Sequence, residues 1–143
     1  MSKSIYLILL VSCCLYALAR GGTPERTAVG ILVSAVVASA FTPPTGAHRF
    51  FQLEMGMLTV DTCLFLAMTA LALKAQRYWP MWLAAVKLNT VMTHLLILSP
   101  SLMPWSYAVA NAAWSYPSPL LIAIGAVRHR QRLKRYGVDP AWS

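Results

Sequence analysis

Three ionisable residues stand inside long apolar runs: Asp61, Lys87 and His94. In hydrocarbon an ionised group costs roughly 2.5–3.5 kcal/mol to insert, so such side chains turn from lipid towards one another or towards a function. Lys87 and His94 are seven residues apart, two helical turns, and share one face of a helix. Counted from one membrane edge, Lys87 is about 12 Å deep, Asp61 about 18 Å and His94 about 22 Å at a helical rise of 1.5 Å per residue. Antiparallel packing would bring Asp61 within reach of either base. Two chemistries fit. One is a proton or ion relay, or a polar ligand site. The other is an ion pair that locks two helices, at about 1 kcal/mol per interhelical bond. The lock is favoured, because no continuous polar path accompanies the three residues.

Other reactive patterns are missing. Cys13 and Cys14 are adjacent and lie with Cys63 in apolar runs, without CxxC spacing, so all three read as small apolar core residues. A b-type haem on His94 would need a second axial ligand, but His48 falls in a loop and His129 in a basic tail. No activated nucleophile, metal set or phosphate loop is visible, and no cofactor is assigned. The expectation is a non-enzymatic protein.

The elements that position these residues are five apolar segments: Ile5 to Ala19, Thr27 to Phe41, Glu54 to Leu73, Trp79 to Leu98 and Trp105 to Val127. The chain has 143 residues, 58% of them hydrophobic and only 11% charged, which is a membrane composition. The expected fold is therefore all-α, an integral membrane bundle of about five transmembrane helices over residues 1–127, with a basic cytoplasmic tail at 128–143. The net charge of +8 raises nucleic acid as a partner, but the basic residues sit at segment edges rather than on one groove-sized face. Anionic lipid headgroups are the expected counter-charge.

Charge sets the topology. With the C-terminus in the cytoplasm and the N-terminus outside, the cytoplasmic side holds Arg20, Arg26, Lys74, Arg77, Arg128, Arg130, Arg132, Lys134 and Arg135, nine of the twelve Lys and Arg residues. Only Lys3 and Arg49 fall outside, a clear positive-inside bias. Ala17-Leu18-Ala19 has the form of a signal-peptidase site and Leu10-Val11-Ser12-Cys13 that of a lipoprotein box. Cleavage at either would reverse the side of every later loop, so Ile5 to Ala19 is read as a retained helix. The first two segments reach only about 22 Å as straight helices, short of a ~30 Å core. Thinning, a neighbouring protein or a re-entrant arrangement must make up the difference.

Local chemistry adds detail. In Gly21-Gly22-Thr23-Pro24-Glu25-Arg26, Thr23 suits an N-cap with Pro24 at N1, and Glu25 complements the helix dipole. Gly30, Ser34 and Ala38 form a small-xxx-small ridge that lets another helix approach closely. Pro117 and Pro119 are expected to kink the fifth segment. Trp79, Trp82, Trp105 and Tyr107 near segment ends suggest an aromatic belt. Arg128, Arg130, Arg132, Lys134 and Arg135 are placed to meet lipid headgroups or an acidic partner.

The Gly-Gly-x-Pro-Glu-Arg turn, the Arg77-Tyr78-Trp79-Pro80-Met81-Trp82 entry, the Trp114-x-Tyr116 pair and the ending Gly137-Val138-Asp139-Pro140-Ala141-Trp142 resemble those of small uncharacterised polytopic inner-membrane proteins of proteobacteria. The resemblance implies the bacterial inner membrane as compartment, and it brings no activity, cofactor or site with it. The expected function is an accessory or stabilising subunit of a larger inner-membrane complex, with other integral membrane subunits as partners. The alternative is a small transporter or membrane ligand-binding protein, for a proton, quinone, pigment or lipid, working through Asp61, Lys87 and His94.

Overall fold

A computed structural model describes residues 3–41, 55–75, 77–95, 109 and 113–139. Among these, every regular element is a helix. The five are α1 (Lys3–Arg20), α2 (Thr23–Phe41), α3 (Met55–Lys74), α4 (Trp79–Leu95) and α5 (Pro117–Tyr136). The two that begin the chain are longer than the apolar pattern predicts, at 18 and 19 residues, about 27 and 28 Å. The apolar count stops at the first charge, whereas the helices run on through Lys3, Ser4 and the Thr23–Arg26 turn. By length and composition α2 and α3 are able to cross a membrane. Glu54, the end of the fourth predicted segment (96–98), most of the start of the fifth (105–108 and 110–112) and with it Trp105 and Tyr107 lie outside the described residues.

The strongest packing is between α3 and α4, joined by a short connection, and between α1 and α5; α2 lies on α3, and α4 on α5. Buried positions recur every three or four residues, as one helix face requires: Leu10, Cys14 and Ala17 on α1; Leu64, Met68 and Leu71 on α3; Leu83, Lys87, Thr90 and His94 on α4. The apolar core of Leu32, Met68, Leu83 and Ile122 sits in the half of the bundle nearest the α1–α2 and α3–α4 turns. Outward, the helices present large apolar side chains: Ile8 on α1, Val37 on α2, Leu66 and Leu73 on α3, Trp82 on α4, Ile124 on α5, with Leu73 80% exposed. Cys63 is exposed, a correction to its reading as a core residue, while Cys14 is buried.

The last element departs from expectation in register. Residues 113–115 are helical, the chain turns at Tyr116, and α5 starts at Pro117. Pro117 and Pro119 therefore occupy a first turn, where a missing N–H breaks no ladder, and the predicted mid-span kink is a helix boundary. Tyr116 meets Tyr6 of α1 edge-on, with ring centroids 5.5 Å apart. At its other end α5 continues through the basic residues to Tyr136. Gly137, at φ 73°, closes it with an N–H bond to the Leu133 carbonyl at 3.0 Å. A side chain at that left-handed position would be strained, and the reversal it allows returns the tail to the bundle.

Candidate functional site

Of the three ionisable candidates Asp61, Lys87 and His94, α3 and α4 bring two into contact. With Asp61 ionised, His94 Nε2–H donates to Asp61 Oδ2 at 2.8 Å. His94 is buried, and the Asp61 side chain is 23% exposed. Lys87, two turns along α4, is 5% exposed and interacts electrostatically with Asp61, without an ion pair inside 4.0 Å among the described residues. Asp61 thus meets His94 directly rather than lying midway between two partners. Around them, Thr90 Oγ1 and Thr93 Oγ1 are occupied by the carbonyls of Val86 and Asn89. Both hydroxyls donate within their own helix. Tyr6 of α1 lies within electrostatic reach of Asp61.

The opposite end of the bundle holds a second, denser polar cluster. It begins at the α1–α2 turn. Glu25 reaches back so that Gly22 N–H donates to its Oε2 at 3.0 Å, and Arg26 N–H bonds the Gly22 carbonyl at 3.1 Å. This is the glutamate half of a capping box, with Gly22 rather than Thr23 at the cap position. Glu25 is fully buried and also accepts a bond from Trp79 Nε1–H at 3.1 Å, at the start of α4. Trp79 is thereby an interior residue at 3% exposure, which corrects its place in an aromatic belt; Trp82 remains exposed. The indole rests on α5 at Gly125, where an added Cβ would lie 2.8 Å from Trp79 Cε2, so only glycine allows the approach.

Arg77 links this turn to the tail. Its Nη1 is 3.7 Å from Glu25 Oε1 and donates to Asp139 Oδ2 at 2.7 Å, with the Arg77 side chain 1% exposed. Asp139, two residues past the Gly137 cap, also accepts from His129 Nδ1 at 2.5 Å and has Arg132 Nε 3.3 Å from Oδ1. Burial alone would raise the Asp139 pKa, but the hydrogen bonds from Arg77 and His129 and the charges of Arg77 and Arg132 hold it below its usual 3.8. Two carboxylates, two arginines and a histidine therefore tie together the α1–α2 turn, the α3–α4 turn and the tail.

Sequence reasoning did not single out Glu25, Arg77, Trp79, His129 and Asp139 as one set. A signal was present: the chain has only four acidic residues against twelve basic ones, so each acid is a candidate anchor. Of the remaining candidates, Gly30, Ser34 and Ala38 all face outward, with open space around Gly30. Ser34 and Ala38 line a groove of about 430 Å³ between α2 and α3, opposite Thr59, Cys63 and Ala67. A second hollow of about 530 Å³ shares Ile31 and Ala67 with it and runs on towards Lys74. In the tail, Arg132 turns to Asp139, whereas Arg128 and Arg135 are exposed. No family model matches the chain, and no curated protein or solved structure shows significant similarity to it.

Proposed function

We propose that this chain is a polytopic protein of the bacterial inner membrane, N-terminus outside and C-terminus cytoplasmic, serving as a non-enzymatic accessory or stabilising subunit of a larger membrane complex. The observation that carries the membrane reading is the inverted surface. Large apolar side chains face outward on all five helices, while Glu25, Arg77, Lys87 and His94 are inside. In water such a shell would be an aggregation surface; in lipid it is the ordinary exterior. The accessory role draws support from the outward ridge of Gly30, Ser34 and Ala38 beside the α2–α3 groove, a shape that fits a neighbouring helix.

The test is a photo-crosslinker at Ser34, activated in native membranes, with Leu120 as an exposed control position. A discrete adduct with one membrane polypeptide from Ser34 alone supports the reading; crosslinks to lipid only, at both positions, contradict it. A second reading, a small transporter or ligand-binding protein, is favoured by Lys87, buried near Asp61 without a close ion pair among the described residues. Thermal stabilisation by a candidate ligand, abolished in Asp61→Asn, would select it over the first.

A further inference from the structure

The five basic tail residues are not equivalent. On a helix of 3.6 residues per turn, Arg128, Arg132 and Arg135 fall on one side of α5 with Gln131 and Tyr136, and Arg130 and Lys134 fall on the other. The first group lines a shallow cleft of about 240 Å³. We infer that this cleft, made by Arg128, Arg132 and Arg135 with the Gln131 amide and the Tyr136 hydroxyl, binds the phosphate of an anionic phospholipid at the membrane surface.

Three observations converge on it. The cleft is lined by three arginines, a glutamine and a tyrosine, with no acid in its lining among the described residues. Arginine forks match the paired oxygens of phosphate, and such charge-assisted bonds are about twice as strong as neutral ones. Second, the network behind the cleft orients its central arginine. Asp139 lies 3.3 Å from Arg132 Nε, and because Asp139 is shared with Arg77 and His129 it does not cancel the positive charge in front. Third, the cleft starts immediately after the apolar stretch Leu120–Val127, so in a bilayer the first arginine emerges at headgroup level. The charge and the small size favour a compact phosphate with free oxygens over one masked by choline.

This inference rests on the membrane reading, so both are tested side by side. Full-length protein in mild detergent is titrated with dioctanoyl phosphatidic acid, dioctanoyl phosphatidylcholine and inorganic phosphate, following the thermal midpoint. Wild type should be stabilised saturably by phosphatidic acid and not by the other two. Arg128→Gln/Arg135→Gln should weaken that response about tenfold or more, whereas Arg130→Gln/Lys134→Gln, with the same loss of two charges, should change it less than about twofold. Arg128→Lys/Arg135→Lys retains charge without the forks and should fall between them, which keeps the test valid if the Gln pair folds poorly. Equal losses in the Gln pair and the off-cleft pair would overturn the site in favour of diffuse charge. An equal response to inorganic phosphate would make it a free-phosphate site, and an equal response to phosphatidylcholine would leave only acyl binding. Release of the protein from membranes by alkaline carbonate would overturn the membrane reading separately.

Discussion

Removing Arg77 is the sharpest perturbation of the turn-end cluster. Its guanidinium, 1% exposed, stands between two buried carboxylates, 2.7 Å from Asp139 and 3.7 Å from Glu25. Deleting one partner of a buried ion pair costs about 3–5 kcal/mol, because the other charge stays buried without compensation. Asp139 would retain His129 and Arg132, so its share of the loss is softened. Glu25 would be left with two neutral donors, Gly22 N–H and Trp79 Nε1–H. Arg77→Met should therefore destabilise by about 3 kcal/mol, the lower end of that range. At a few degrees per kcal/mol this lowers the thermal midpoint by roughly 10 °C. Tryptophan fluorescence in mild detergent is a suitable readout, since Trp79 shares Glu25 with Arg77. Adding Glu25→Gln should recover at least about half of the loss, as the uncompensated charge is then gone. A single-variant loss below about 1 kcal/mol, or a double variant no better than Arg77→Met, would refute an energetic role for the cluster.

Four further outcomes follow from the same structure. Asp139 has a folded pKa below its ordinary 3.8, so its contribution is present above that value and lost as pH falls through the lower folded one; protease accessibility of the tail should stay low down to about pH 4 and rise only below it. Asp61→Asn removes the carboxylate that His94 bonds and that offsets the charge of Lys87 and should lower protein abundance, and Lys87→Met in the same chain should restore it if the trio is a lock. Gly125→Ala pushes a methyl onto Trp79 and should cost about 1–3 kcal/mol, with a shifted tryptophan emission maximum. Ser118 Oγ is buried without a hydrogen-bond partner among the described residues, so Ser118→Ala should leave the thermal midpoint unchanged or raise it.

The helices were legible in the sequence because apolar runs of this length have few alternatives, and each described helix overlaps the segment expected for it. Boundaries slipped where polar residues belong to helix ends, as at Thr23–Arg26, and where proline begins a helix rather than bending one, as at Pro117. The Asp61–His94 contact was within reach of depth counting, since both residues sit on helices joined by a short turn. The turn-end cluster was not, because it joins positions 54, 62 and 10 residues apart in the chain. Nothing local at Asp139 reveals that Arg77 will face it; that depends on how α5 crosses α4. The bias that marks Arg77 as a membrane-edge charge also hides that it is turned inward.

The accessory-subunit reading is tested most directly by native mass spectrometry of the tagged protein, extracted gently from its own membrane. It predicts the chain in fixed stoichiometry with other integral membrane subunits, lost when Gly30 and Ser34 are replaced by bulky residues. A stable monomer or homo-oligomer without other subunits, unchanged by those substitutions, would contradict it.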